Sequence, residues 1–176
     1  DKMYDNLMNK FRFGGIEKEP MYLDEGILRM AMNLRIQYAR LAEALIAKGE
    51  KEKAKKVLDK CLESLPKSNV PYNIVMMQYV DMYYKLGDKD NARMISASLI
   101  EEFEEKVGFY HLVSMDYRDN LNEYKREFRQ SFTVAQNILS LAKRYDDNDY
   151  SKNLAEKLKS TTDQAQSVGQ LMFSPR

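Results

Sequence analysis

The stretch AKGEKEKAKKVLDKCLESLP, from Ala47 to Pro66, decides the fold because it returns in altered form as KLGDKDNARMISASLIEEFE, from Lys85 to Glu104. The two stretches align on Gly49 and Gly87, which lie 38 positions apart. An amphipathic helical pattern flanks each glycine on both sides, and glycine readily takes the positive φ that ends a helix. The echo therefore predicts a repeated unit of two helices joined by a very short turn.

The rest of the chain also reads as helical. Apolar residues recur at three- and four-residue steps, and no alternating β-branched runs meet at a hairpin turn, so the predicted fold class is all-α. Asp24 and Asp149 are expected to be helix N-caps, and Gly14 and Gly15 are expected to stop the first helix. The predicted helices cover residues 1–11, 24–49, 51–65, 72–86, 89–107, 109–145 and 149–168.

The first hairpin resembles the tetratricopeptide repeat in the order and spacing of Tyr38, Leu41, Ala42, Leu45, Gly49, Ala54, Leu58, Cys61 and Pro66. The second hairpin matches at Met76, Tyr79, Tyr83, Gly87, Ala92 and Leu99, whereas Ser96 and Glu104 stand where a large apolar residue and a proline are usual. Its period exceeds the usual ~34 residues, and the extra residues fall in the linker around KSNVP. The resemblance implies antiparallel helical hairpins, and a generic α-hairpin bundle is the alternative.

Two repeats leave an apolar face open at each end, so flanking segments are expected to cover them. The predicted organisation is one globular unit in three parts. Residues 1–23 form an N-terminal segment that packs on the repeats, residues 24–107 form the two hairpins, and residues 108–176 form C-terminal capping helices and a tail.

A second resemblance concerns the run MYDNLMNKFRFGGIEKEPMYLDE, from Met3 to Glu25, with the first hairpin and VPYN after it. It is similar to the soluble C-terminal region of a bacterial family of multi-pass membrane proteins of unknown function, whose N-terminal part resembles glycosyltransferases that use lipid-linked sugars. The likeness is good over residues 3–107 and loose beyond. It implies that glycosyl transfer belongs to a membrane part outside this chain and that this region is periplasmic.

Composition narrows the classes of partner. The chain has 28 Lys plus Arg against 27 Asp plus Glu, a net charge of +1, which argues against binding of nucleic acid. No apolar run reaches the ~20 residues of a membrane span, so this segment is not expected to insert into a bilayer. The chain opens at Asp1 with neither an initiator Met nor a signal peptide, so we expect a fragment of a longer protein.

The candidate catalytic and metal-binding residues all favour structural roles. His111 is the single histidine, and Cys61 is the single cysteine and lies on an inner helix face, where a thiol is a poor nucleophile. The run DDND (146–149) has no EF-hand glycine, and Lys157 replaces the closing glutamate. EEFEE (101–105) reads as a solvated face, and the glycine pair lacks a phosphate-loop lysine. We therefore predict no cofactor, no metal and no enzyme activity for this segment.

The concave groove is the predicted binding site. The residues expected to line it are mixed apolar and acidic, and an apolar peptide, a partner helix or the chain's own N-terminal segment are the candidate occupants. The paired Lys and Asn that hold a peptide's terminal carboxylate are absent. The first helix of the first hairpin contributes Ile36, Ala39, Arg40, Glu43 and Ile46, and the first helix of the second hairpin contributes Ile74, Met77, Gln78, Asp81 and Tyr84.

Two functional hypotheses follow. The first is a non-catalytic protein-interaction or scaffolding domain appended to a glycosyltransferase-like membrane protein, with a protein or peptide partner and contacts to its own membrane part. The alternative is a domain that binds the acceptor peptide or glycan, because aromatic faces suit sugars and the chain clusters Tyr72, Tyr79, Tyr83 and Tyr84.

Overall fold

A computed structural model describes residues 2–116 and 121–173 of the chain. The described residues form helices, turns and loops without a strand, which confirms the all-α, tetratricopeptide-like fold class. The elements are α1 (Lys2–Asp5), a π-helical turn (Asn6–Lys10), α2 (Glu25–Ala47), α3 (Lys51–Ser64), α4 (Met76–Lys85), α5 (Lys89–Asp116), α6 (Leu121–Arg144) and α7 (Asn148–Phe173).

The chain divides into two compact units, Asp1–Asp88 and Lys89–Arg176. The first unit contains α1 to α4, and the second contains α5 to α7. The three-part organisation expected from the sequence, with boundaries at residues 23 and 107, stays a prediction.

The first unit is built on the hairpin of α2 and α3. The Asp24 carboxylate accepts a hydrogen bond from the Ile27 amide (2.9 Å) and caps α2, as the sequence predicts. Gly49 has φ +79°, and its amide donates to the Ile46 carbonyl (2.9 Å), which closes the turn. Ala54 on α3 is fully buried, so the two helices approach closely.

The same turn recurs 38 residues later, at the end of α4. Gly87 also has φ +79°, and its amide donates to the Tyr84 carbonyl (3.0 Å). The next amide, of Asp88, donates to the Tyr83 carbonyl (2.9 Å), as the Glu50 amide does to Leu45 in the first turn. The similarity between residues 47–66 and 85–104 therefore corresponds to the same helix-ending turn in both places.

The N-terminal segment ends its helix earlier than the sequence predicts. The π-helical turn stops at Lys10 because Phe11 is already extended, whereas Gly14 and Gly15, with φ +66° and +93°, lie in the turn that follows. Leu7 is buried, and its carbonyl accepts a hydrogen bond from the Tyr38 hydroxyl (2.8 Å). That bond ties the N-terminal turn to α2.

A fully buried arginine holds the linker between α3 and α4. Arg35 on α2 is 0% exposed, and its guanidinium donates to three main-chain carbonyls of the linker region. It also lies 5.1 Å from the centre of the Tyr72 ring. The carbonyl acceptors are Leu65 at 2.9 Å, Val70 at 2.5 Å and Pro71 at 2.7 Å.

Further polar contacts surround Arg35. The Tyr79 hydroxyl of α4 donates to the Arg35 carbonyl (2.7 Å), which joins α4 to α2. The Tyr83 hydroxyl donates to the Asp59 carboxylate (2.7 Å), and the Lys55 ammonium pairs with Asp88, so α4 and its closing turn are also tied to α3. Charged and hydroxyl groups thus fix α4 in the first unit.

The second unit is a three-helix bundle whose first helix runs longer than expected. The sequence predicts an end near Val107 and a new helix at Phe109, but α5 continues through Gly108 to Asp116. Tyr110 is buried, with its ring 5.5 Å from that of Tyr124 on α6. A glycine inside a helix costs about 1 kcal/mol, and we attribute its tolerance here to this aromatic packing.

The DDND run forms the turn between α6 and α7. Asp146 takes φ +52°, and the Asp147 amide donates to the Ala142 carbonyl (2.9 Å), which ends α6. Asp147 is 2% exposed and receives two hydrogen bonds from Arg93 of α5. The N-cap prediction was wrong, since Asp149 already lies in the first turn of α7, which begins at Asn148.

Replacing Arg35 by Met is expected to destabilise the first unit by about 3 kcal/mol, because buried carbonyls of the linker lose their donors. Arg35→Lys should fail to restore the loss, since an ammonium cannot reproduce the planar fork. Urea unfolding followed by circular dichroism measures the change. Arg40→Met, an exposed position on the same helix, is the control; equal stabilities of the Arg35 and Arg40 variants would contradict the assignment.

Candidate functional site

The groove lies between α2 and α4, which pack against each other in the first unit. It is a shallow depression of about 120 Å³. Ala39 forms part of its floor, and polar groups surround it. Its lining consists of Ala39, Glu43, Gln78, Asp81, Met82 and Lys85.

Negative charges outnumber positive charges in the lining of the groove. Asp81 pairs with Lys85 one helical turn further on (2.6 Å), and Asp81 is the more buried of the two side chains. Glu43 is exposed on α2 and adds a second carboxylate. Two carboxylates against one ammonium leave the groove with a net negative charge, and Gln78 adds an amide that both donates and accepts.

The structure brings together only part of the predicted set. Four predicted residues line the depression, namely Ala39, Glu43, Gln78 and Asp81. Outside its lining lie Ile36, Arg40, Ile46, Ile74 and Met77. Of these, Ile74 and Arg40 are exposed, and Ile36 and Met77 are half-buried. Tyr84 is 5% exposed, so its ring offers almost no surface to a ligand.

Met82 and Lys85 line the groove although sequence reasoning did not select them. They stand four residues after Gln78 and Asp81, and residues four apart share a helix face. Extending the predicted face by one more turn would have found both.

The N-terminal segment contacts another side of α2. Tyr4 lines a small cavity of about 90 Å³ together with Leu41 and Leu45 of α2. At ~100° per residue these two leucines lie roughly opposite Ala39 and Glu43 around the helix. In the described residues, α1 and its π-helical turn therefore cover the far side of α2 and leave the groove open.

Cys61 has the character of a buried structural thiol. It is fully buried, and its sulfur lies 3.0 Å from the oxygen of the Tyr79 hydroxyl, whose one proton is donated to the Arg35 carbonyl. Burial raises the pKa of the Cys61 thiol from 9.0 to about 11. A thiol of this pKa supplies almost no thiolate near neutral pH.

The other candidates lie in ordinary structural settings. His111 is an interior residue of α5 rather than at a helix start. In EEFEE, Glu102 pairs with Lys106 (2.7 Å) and Glu104 with Lys157 (2.9 Å). Within the described residues, no group of three His, Cys, Asp or Glu side chains could hold a metal ion.

The tyrosine cluster that suggested sugar binding is part of the core. Tyr72, Tyr79, Tyr83 and Tyr84 are all buried. The hydroxyls of Tyr79 and Tyr83 are engaged by Arg35 and Asp59, respectively. Stacking of a sugar on these rings would require the first unit to open.

Comparison with known proteins agrees with this geometry. Residues 38–67 match a tetratricopeptide-repeat family model, and residues 75–105 match a second tetratricopeptide-repeat model. No curated protein and no solved structure matches the chain significantly. These two stretches of the chain are therefore tetratricopeptide repeats, a class of repeat that generally mediates protein–protein interaction and is typically non-catalytic.

None of the helices in the described ranges combines the length and the apolar character needed to cross a membrane.

The raised pKa of Cys61 makes stability depend on alkaline pH. The unfolded thiol loses its proton near pH 9 and the folded thiol near pH 11, so the stability contributed by the neutral thiol is present below pH 9 and is lost towards pH 11. The expected loss is about 2 kcal/mol. Urea unfolding at half-unit steps from pH 8 to 11 measures it, with Cys61→Ala as the reference; parallel curves for the two proteins would contradict the expectation.

Asp147 is expected to stabilise the second unit through Arg93. Asp147→Asn should lower the free energy of unfolding by about 3 kcal/mol, because it removes one partner of a charge pair whose carboxylate is buried. Asp149→Asn, at an exposed position of the same run, should change it by less than about 0.5 kcal/mol. Thermal unfolding of both variants tests this difference. Similar losses of unfolding free energy in the two variants would show that the buried Asp147–Arg93 pair does not stabilise the second unit.

Proposed function

We propose that this chain is a non-catalytic protein-interaction or scaffolding domain that binds a segment of a partner protein in the groove between α2 and α4. The observation that carries the proposal is the open groove itself, formed by the first helices of two matched tetratricopeptide repeats. Its walls offer no acid, base and nucleophile set, which fits binding rather than chemistry.

The groove's chemistry indicates what kind of segment fits. Glu43 and Asp81 attract a cation, and the Asp81 carboxylate is already partly neutralised by Lys85. Beside the depression, Ile74 exposes apolar surface in the turn before α4, and Ile36 and Met77 are half-buried. A helical or extended partner segment with a basic residue close to an apolar one satisfies both features.

The wider context of the proposal is a glycosyltransferase-like membrane protein. The domain would be its periplasmic appendage, and its own membrane part would be one partner. The support is the resemblance of Met3 to Glu25 and the following hairpin to the soluble region of such proteins. Sequencing the complete gene tests this context: membrane spans coded upstream of Asp1 would agree with it, and a gene without spans would contradict it.

The alternative function is binding of an acceptor peptide or of a glycan, and the two ligands would use different surfaces. Its glycan form rested on the tyrosine cluster, whose rings are buried. Its acceptor-peptide form uses the same groove as the interaction proposal. Titration of the purified chain with oligosaccharides and with basic-apolar peptides separates the two forms.

Selection of peptides from a random display library tests the groove directly. The wild-type chain is expected to enrich peptides with a basic residue near an apolar one at least tenfold. The double variant Glu43→Lys, Asp81→Lys should lose that enrichment because the groove's charge is reversed. Glu52→Lys, Glu63→Lys on α3 makes the same charge change at exposed positions outside the groove and should keep it. Equal enrichment by the two double variants would refute the groove as the site.

A further inference from the structure

We propose that residues 11–24, here called the strap, open and close independently of the helical hairpin, and that the side chain of Asn69 is the latch that holds the strap shut. The strap connects the N-terminal π-helical turn to α2, and Asn69 lies in the linker between α3 and α4. The inference concerns a conformational device and does not depend on what the groove binds.

The latch is one amide group. Asn69 is 5% exposed, and its Nδ2 donates to the carbonyls of Ile16 (2.6 Å) and Glu19 (2.7 Å). Its Oδ1 accepts from the Met21 amide (2.9 Å). Both donors and one acceptor position of a single side chain are thus engaged with the strap's main chain.

The strap has little else to hold it in place. From Phe11 to Met30 no residue is buried, and Tyr22 is 94% exposed. The hydrogen bonds inside the strap are turn contacts, from Ile16 to Phe13 (3.3 Å) and from Lys18 to Gly15 (3.0 Å). Segments with few buried apolar contacts open at low free energy. The strap's closed position therefore depends on Asn69.

Both ends of the strap and its docking surface stay fixed when it opens. The N-terminal turn is held by the Tyr38 hydroxyl on the Leu7 carbonyl, and α2 begins with its Asp24 cap. The linker is fixed by Arg35, and the amides of Asn69 and Val70 donate to the Pro66 carbonyl (3.1 and 2.9 Å). When the strap opens, the side-chain amide of Asn69 therefore loses its partners, while its main chain keeps its position and the hairpin stays folded.

Hydrogen exchange of the full chain, read by mass spectrometry, tests the device. In the wild type, the strap amides that are hydrogen-bonded in the closed position, those of Ile16, Lys18 and Met21, should exchange at least 100-fold faster than those in the middle of α2, which would show that the strap opens while the hairpin stays closed. Asn69→Ala should raise strap exchange at least another tenfold and leave α2 and α3 unchanged. Tryptic cleavage after Lys18 should accelerate to a similar extent.

Two further variants separate the latch from general loss of stability. Asn73→Ala is the matched control, because Asn73 lies in the same linker but has no contact with the strap in its hydrogen bonds. Its Oδ1 accepts from the Val75 amide (3.1 Å), and its Nδ2 donates to the Met32 sulfur (3.2 Å). It should leave strap exchange unchanged. Asn69→Asp keeps the acceptor for Met21 but loses both donors, and it should also release the strap.

Three results would overturn the proposal: equal exchange of strap and α2 in the wild type, unchanged strap exchange in both Asn69 variants, or an equal effect of Asn73→Ala. If Asn69→Ala does not fold, the wild-type comparison and Asn69→Asp decide.

Discussion

A guanidinium group removed from water needs hydrogen-bond acceptors, and in this protein main-chain carbonyls of the inter-repeat linker accept three hydrogen bonds from its two Nη atoms, whereas the buried Nε has no acceptor among the described residues. Arg35 is fully buried, and its described partners are three carbonyls and the Tyr72 ring. Loss of solvation lowers the pKa of Arg35, yet an arginine stays charged in proteins. Carbonyl dipoles therefore stabilise the charge, and the linker must take the one path that presents them.

That constraint explains how α4 keeps a fixed position in the first unit although the linker before it is longer than usual. Extra residues in that linker would normally loosen the placement of α4. Here they wrap around Arg35, Asn69 turns towards the strap, and Asn73 turns towards the start of α4. The Tyr79 hydroxyl of α4 donates a hydrogen bond to the Arg35 carbonyl. Arg35 therefore orders the linker through its side chain and anchors α4 through its main chain. The groove between α2 and α4 owes its shape to this arrangement.

The repeated hairpin design could be predicted from the sequence because it depends on local chemistry. Glycine with positive φ at residues 49 and 87 and small alanines at 54 and 92 are visible without coordinates. The role of Arg35 could not be predicted, since arginine is mostly exposed and its acceptors lie 30 to 36 positions away. The continuation of α5 through Gly108 was missed because tertiary aromatic packing overrides local propensity.

The candidate site could likewise be predicted from the sequence only in part. Glu43, Gln78 and Asp81 followed from helical spacing, whereas the burial of Tyr84 depends on how the core packs around α4. The latch role of Asn69 had no local signal, because its partners are main-chain atoms about 50 positions earlier. Residue types at fixed spacing reveal faces of helices; contacts between a side chain and a distant main chain require coordinates.

The central claim is that the Arg35 guanidinium orders the linker by binding its carbonyls. Solution NMR of the chain labelled uniformly with ¹³C and ¹⁵N tests it most directly. The account predicts that the Arg35 Nη protons exchange slowly with water and show couplings across hydrogen bonds to the carbonyl carbons of Leu65, Val70 and Pro71. Rapid exchange of those protons, at the rate of the exposed Arg40, would contradict it.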